Sequence, residues 1–173
     1  MWIALFSQTG KEIADISEAM DWNYPDRILT DRNNSHVWDE RIDHRVEMMK
    51  HEDICEILNR TEAQDIVTLH GYLRILSPGA LRGWGKFFNG HPGDIISYPQ
   101  LKGKDPQKKA FEQKLPHTGV VIHKVTNELD GGPIYSYNRL DLAGKYYELP
   151  ELIKDLRELS VHTWINFLER YKD

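Results

Sequence analysis

Two polar side chains follow a short apolar segment near the middle of the chain. Asn89 and His91 are two residues apart in Phe87-Phe-Asn-Gly-His-Pro92, so at the end of an extended strand both side chains point the same way. An asparagine amide can donate a hydrogen bond to a developing oxyanion, and a histidine can carry protons near neutral pH. The pair is therefore a candidate for acyl-transfer chemistry, although Asn-Gly is also common in turns.

A carboxylate beside this pair would orient the imidazole and stabilise its protonated form. Asp130, in Asp130-Gly-Gly-Pro133, is the candidate for that role. The same four residues are also an ordinary turn sequence, in which Gly131 and Gly132 would simply adopt a positive φ. Residue types and spacing alone leave both interpretations open.

The elements that must position these residues begin with a strand and a helix. Trp2–Phe6 is a short, continuous apolar run, which is typical of a strand buried on both faces. Thr9 and Glu12 match a capping box, and apolar residues with helical spacing follow them. Arg27–Thr30 is a second strand candidate. Strand, helix and strand in this order predict a parallel α/β sheet.

The remaining pattern predicts a loop over 31–45 and four further strands, over 65–70, 86–89, 120–125 and 134–140. It also predicts a helix over 46–60, a short helix from Ser77, a short helix over 107–114 and a long helix from Pro150. The expected fold is α/β: an open, mostly parallel, twisted sheet flanked by helices, with a C-terminal β-hairpin and a long last helix, in one domain of residues 1–173. Ligands of such sheets bind beyond the carboxyl ends of the strands.

Composition limits the class of protein. The formal net charge of −5 argues against a protein that coats nucleic acid or an anionic membrane, and no apolar run is long enough to span a bilayer. The single cysteine, Cys55, cannot form an internal disulfide, and no Cys/His cluster has zinc-ligand spacing. We therefore expect a cytoplasmic protein without a metal.

Three segments, in this order, carry a more specific signal: Gly71-Tyr-Leu-Arg-Ile-Leu-Ser-Pro78, Phe87-Phe-Asn-Gly-His-Pro92 and the stretch from His117 to Asp130-Gly-Gly-Pro133. Together they resemble the folate-dependent formyltransferase family, most closely its glycinamide ribonucleotide transformylase members. The strong part of the resemblance covers residues 65–140. It implies a Rossmann-like fold, 10-formyltetrahydrofolate as the formyl donor, and no metal.

The resemblance also implies roles for individual residues. Asn89 would bind the formyl oxygen as it becomes an oxyanion, His91 would contribute proton transfer and electrostatic stabilisation, and Asp130 would hold His91 and move protons through a water. The segments expected to border the pterin ring are Arg74, Ile75 and Leu76, and the loop of Val125, Thr126, Asn127 and Glu128.

The acceptor side departs from the family pattern. A Gly-Asn-Gly-Ser-type loop that cradles phosphate is replaced by Ser7-Gln-Thr-Gly-Lys11, where Thr9, Gly10 and Lys11 remain candidate substrate-binding residues. Lys104, in a basic stretch with Lys102 and Lys108, is a further candidate, although such a stretch is usually a solvated loop. The last helix has no clear glutamate for an acceptor amine, and Ser160 lies near that place.

These expectations favour transfer of a formyl group to a primary amine of a small, phosphorylated or nucleotide-linked acceptor. Two alternatives remain: a formyltetrahydrofolate hydrolase, in which water is the acceptor, and a non-catalytic folate-binding module of the same fold. The expected partners are the folate and the small amine, without nucleic acid or membrane. A homodimer is also considered.

Overall fold

The computed structural model describes residues 1–33 and 37–172, so residues 34–36 of the predicted 31–45 loop lie outside the described residues. The strands are β1 (Trp2–Phe6), β2 (Arg27–Thr30), β3 (Val46–Met48), β4 (Ile66–Leu69), β5 (Lys86–His91), β6 (His117–Lys124) and β7 (Ile134–Asp141). The α-helices are α1 (Lys11–Ala19), α2 (His51–Asn59), α3 (Pro106–Glu112) and α4 (Leu149–Lys172). Short 3-10 turns occupy Asp43–Arg45, Ala80–Arg82 and Pro99–Leu101.

The seven strands form one sheet in the order β3-β2-β1-β4-β5-β6-β7. The strands from β3 to β5 in this order pair in parallel, whereas β6 runs antiparallel to both β5 and β7. The predicted mostly parallel sheet with a later hairpin and a long last helix is therefore confirmed.

The core lies on both faces of the sheet because alternate residues of each central strand point to opposite sides. All five residues of β1 are buried. Ile3 and Leu5 pack against Ile54 and Leu58 of α2 on one face. On the other face, Trp2 and Phe88 form a cluster with residues of α1 and α4 that includes Trp164.

Several element predictions are corrected. The expected helix over 46–60 is divided into β3 and α2, because Val46 extends the sheet beside Ile28 before the helix begins. The short helix expected from Ser77 is only the 3-10 turn at Ala80–Arg82. The capping box is wrong: Gly10, in a left-handed conformation, is the N-cap of α1, and the Glu12 carboxylate bonds to His70 instead of turning back to the start of its own helix.

Among the described residues, no helix is both long and apolar enough to cross a membrane.

Candidate active site

A cleft of about 710 Å³ lies beyond the carboxyl ends of the central strands. Leu5 of β1 pairs with Leu69 of β4, which in turn pairs with Asn89 of β5, so the residues that follow these three meet at one edge. The candidate catalytic, folate-binding and substrate-binding residues line this cleft: Asn89, His91 and Asp130; Arg74, Ile75, Leu76, Val125, Thr126, Asn127 and Glu128; and Thr9, Gly10, Lys11 and Lys104. Lys102 and Lys108 are not among its lining residues.

Asn89, His123 and Asp130 form a polar triangle in this cleft. The Nδ2 of Asn89 lies 3.2 Å from the His123 Nε2 and 3.5 Å from the Asp130 Oδ1, and the latter two atoms are 3.2 Å apart. The His123 Nδ1 also lies 3.0 Å from the Lys124 carbonyl oxygen. Sequence analysis did not select His123, because the antiparallel pairing that places it opposite Asn89 is not readable from the chain.

His91 joins the cluster from the other side of Asp130. Its Nδ1 lies 3.4 Å from the Asp130 Oδ2, and its Nε2 lies 2.8 Å from the Leu101 carbonyl oxygen. Since a carbonyl only accepts hydrogen bonds, Nε2 is the protonated nitrogen of the neutral ring. Nδ1 is therefore the atom that can gain or lose a proton, and Asp130 stabilises the charge when it gains one.

Burial and charge set the protonation of this pair. Burial lowers the pKa of His91 below its ordinary value, and the nearby Asp130 charge and the Leu101 carbonyl only partly oppose this. Burial raises the pKa of Asp130, but the hydrogen bond from His123, the His91 charge and the backbone N–H of Gly103 outweigh it, so the pKa falls below its usual range. The arrangement keeps a carboxylate beside an imidazole that is readily neutral.

The loop that presents Asp130 is held by backbone geometry. Asp130 has a φ of 51°, a left-handed conformation that costs energy for a residue other than glycine, and the Gly103 N–H donates to its Oδ2 at 2.8 Å. Gly131 and Gly132 do not take the positive φ that the turn interpretation expected. Gly132 is instead required by a close approach, since a Cβ there would lie 1.8 Å from the Lys124 carbonyl oxygen.

The sequence matches the family described as "Formyl transferase" over residues 3–164. The chain belongs to this formyl transferase family. The formyltetrahydrofolate deformylase of Bacillus subtilis (strain 168) is 32% identical over 134 residues, which make up 73% of this chain and 41% of that protein. The phosphoribosylglycinamide formyltransferase of Escherichia coli (strain K12) is 40% identical over 73 residues, 42% of this chain and 33% of that protein. The chain thus spans less than half the length of these curated relatives.

The fold of this chain is also found in a solved structure. Phosphoribosylglycinamide formyltransferase from Campylobacter jejuni superposes with a TM-score of 0.82 and 19% identity, over 99% of this chain and 97% of that one. This likeness confirms the Rossmann-like fold that the resemblance implied.

One part of the cleft wall consists of exposed apolar side chains. Leu73, Ile75 and Leu129 line it with 66%, 72% and 60% of their surface exposed, whereas Leu76 is buried in the core beneath. Exposed apolar side chains concentrated in a cleft are typical of a ligand-binding wall. The Arg74 Nε donates to the Asp31 Oδ2 at 3.0 Å, so its side chain is already paired. The wall offers an apolar surface to whatever ligand enters the cleft.

The segment predicted to bind phosphate makes several contacts within the chain. Thr9 accepts a hydrogen bond from the Lys11 backbone N–H at 3.3 Å, and its carbonyl oxygen accepts one from the Asp39 N–H at 2.8 Å. The Lys11 Nζ lies 3.1 Å from the Asp15 Oδ1, so its charge is already paired along the helix. Lys104 is exposed where it lines the cleft, and no described residue forms a salt bridge with it.

A second polar cluster in the cleft was missed by the sequence analysis. The Glu12 carboxylate lies 2.7 Å from the His70 Nδ1 through Oε2, and the Ser160 hydroxyl donates to its Oε1. The His70 side chain is fully buried, and the residue also lines the cleft. The capping-box pattern concealed Glu12, because the carboxylate turns across to α4 rather than back to its own helix.

His117, at the start of β6, is not among the residues that line the cleft. Its Nε2 is 3.0 Å from the Oδ2 of fully buried Asp94, which also accepts a hydrogen bond from the Tyr137 hydroxyl at 2.9 Å. This cluster ties β6 and β7 to the segment after β5. Among the described residues, no group of three or more His, Cys, Asp or Glu side chains is arranged to hold a metal ion.

Proposed function

We propose that this formyl transferase moves the formyl group of 10-formyltetrahydrofolate to a primary amine of a small acceptor, and that Asn89, His91 and Asp130 carry the reaction. The observation that carries the proposal is the convergence of an amide donor, an imidazole and a carboxylate of lowered pKa within one cleft that also has an apolar wall. An acyl transfer needs an oxyanion donor and a route for a proton, and this set supplies both.

In this reaction the amine nitrogen forms a bond to the formyl carbon, the bond from that carbon to the folate nitrogen breaks, and one proton passes from the amine to the folate nitrogen. Asn89 donates its Nδ2–H to the formyl oxygen as negative charge develops there. The Asp130 carboxylate accepts the proton from the amine, through a water, and delivers it toward the departing nitrogen. While this same proton is in transit, His91 can hold it at Nδ1, 3.4 Å from the Asp130 Oδ2, so that positive charge offsets the oxyanion until the proton reaches the folate nitrogen.

The binding residues divide between donor and acceptor. Arg74, Ile75 and Leu76 would border the folate ring on one side, and the loop of Val125, Thr126, Asn127 and Glu128 on the other. Thr9, Gly10, Lys11 and Lys104 would contact the acceptor. A phosphorylated or nucleotide-linked acceptor would place its phosphate at Lys104, whose charge is exposed and in no salt bridge with a described residue.

A formyltetrahydrofolate hydrolase is the second candidate, because a relative named as a deformylase matches 73% of this chain. The same three residues would serve, with a water in place of the amine. The two functions differ only in what enters the acceptor end of the cleft.

The test is release of tetrahydrofolate from 10-formyltetrahydrofolate, with and without amino sugars, amino nucleotides and glycinamide ribonucleotide. Release that depends on one of these amines, with formation of its N-formyl product, is the expected result. Release at the same rate without an amine supports the hydrolase instead. If the wild-type protein does not bind tetrahydrofolate in a calorimetric titration, both functions are wrong.

A further inference from the structure

The acceptor end of the cleft contains a carboxylate that the proposed reaction does not use. Glu12 lies in the first turn of α1, with 22% of its side chain exposed, and it lines the cleft together with His70 and Ser160. These three residues come from α1, the end of β4 and the middle of α4. The carboxylate is therefore held from three elements.

The hydrogen-bond partners of this cluster determine the direction of each bond. The Trp2 indole N–H donates to the Thr68 Oγ1 at 2.9 Å, and the His70 Nε2 lies 2.9 Å from the same oxygen. Because a carboxylate only accepts hydrogen bonds, the His70 Nδ1 is the donor to the Glu12 Oε2. Since Ser160 donates as well, Glu12 is an acceptor in both bonds.

Two bonds leave part of the carboxylate unused. Its two oxygens offer about four acceptor positions, and the bonds from His70 and Ser160 occupy two of them. The exposed part of the side chain is in the cleft, so the remaining positions are open to a ligand. A fixed negative charge there attracts N–H and O–H donors and repels anions.

The negative charge of Glu12 lies at the N-terminus of α1, where phosphate binding would require positive charge. Backbone N–H groups at a helix N-terminus bind phosphate because the partial charge there is positive, but Glu12 places a carboxylate in that first turn. Lys11 does not compensate, because its Nζ is paired with Asp15 at 3.1 Å.

We propose that Glu12, positioned by His70 and Ser160, selects the acceptor: it accepts hydrogen bonds from an N–H or O–H group of the acceptor and excludes phosphate from the first turn of α1. This inference rests on the proposed amine-formylating function. A phosphate elsewhere on the acceptor, for instance at Lys104, is compatible with it.

The test is titration with inorganic phosphate at constant ionic strength, followed by calorimetry. All proteins carry Lys104→Ala, so that phosphate at that lysine does not contribute. The Glu12→Gln substitution removes the charge but keeps the size and one acceptor oxygen. The protein that carries it in addition to Lys104→Ala is expected to bind phosphate at least about tenfold more tightly than the Lys104→Ala parent. Glu12→Asp keeps the charge, and the protein that carries it is expected to bind phosphate no more tightly than this parent. Equal phosphate affinity in the Glu12→Gln and parent proteins overturns the proposal.

Two further measurements distinguish selection of the acceptor by Glu12 from a merely structural role. With the amine found in the turnover assay, Glu12→Gln is expected to raise the acceptor KM about tenfold or more while the tetrahydrofolate affinity stays at the wild-type value. An unchanged acceptor KM, or a loss of folate affinity in proportion to a lowered thermal midpoint, contradicts selection by Glu12. Folate binding by the wild type is measured separately, so failure of the proposed function is recognised independently of the phosphate result.

Discussion

The Nδ1 of His91 lies 3.4 Å from the Oδ2 of Asp130, while the opposite ring nitrogen is bound to the Leu101 carbonyl oxygen. This relationship leaves one nitrogen for proton exchange and fixes the other. The His91→Gln variant retains an amide that can donate to Leu101 but has no ionisable group. We expect turnover to fall by about a hundredfold to ten-thousandfold, since that is the usual contribution of a positioned acid–base group.

The control for this loss is His162→Gln, because His162 is exposed on α4 and bonded to Asn166. Its turnover is expected to equal the wild-type value under the same assay. If His91→Gln also keeps full turnover, His91 is not catalytic.

His123 is expected to act through Asp130. Its hydrogen bond is the first of the contacts that lower the pKa of Asp130, so His123→Leu removes that stabilisation while burial of the carboxyl persists. The acid limb of the kcat profile should move to higher pH in this variant, because the carboxylate then becomes protonated more easily. Turnover against pH measures the shift, and a limb in the same position as in wild type would mean that His123 does not tune Asp130.

Acid is expected to destabilise the fold partly through His91. Its folded pKa lies below the ordinary 6.5, so the unfolded chain binds the proton first and stability is lost as the pH falls below that value. Asp130 contributes in the same direction. Its folded pKa lies below the ordinary 3.8, so its contribution to stability is lost as the pH falls below that value. Urea unfolding from pH 7 to 5 should show a steeper loss in wild type than in His91→Gln. Parallel curves would show that His91 does not contribute.

A side chain at Gly90 is expected to crowd Trp164 and to lower the free energy of unfolding. A Cβ at this position would lie 2.6 Å from the Trp164 Nε1, a buried nitrogen without a hydrogen-bond partner among the described residues. Gly90→Ala should therefore cost about 1–3 kcal/mol in the free energy of unfolding through overpacking. Adding Trp164→Phe removes the crowding atoms. The double variant should therefore lose less free energy of unfolding than the sum of the losses in the two single variants. A purely additive result in urea unfolding would contradict this contact.

The close approach of Gly132 to β6 should make it indispensable for the Asp130 loop. Gly132→Ala would place a Cβ 1.8 Å from the Lys124 carbonyl oxygen, so the loop must move, and with it the Asp130 carboxylate. Turnover should fall at least about tenfold, with a lowered thermal midpoint. Gly79→Ala is the matched control, since its Cβ would lie 3.6 Å from the Ser77 Oγ, an ordinary contact. Equal turnover in the two variants would contradict this role of the loop.

Local pattern was sufficient for much of the fold. The apolar run of β1 and the strand–helix–strand order predicted the parallel sheet, because burial on both faces leaves an unbroken apolar segment. The prediction over 46–60 was wrong because β3 is short and half-buried, and its pairing with β2 carries no periodic signal of its own.

The sequence by itself determined that Asn89 and His91 share one side of a strand end and that a carboxylate lies in a glycine-rich loop. Only the tertiary structure decided which groups complete the site. His123 reaches Asn89 through antiparallel pairing, and Glu12 meets Ser160 across 148 residues of chain. The physical reason is that side-chain periodicity reports which face a residue occupies, whereas the partner on that face depends on how distant elements pack.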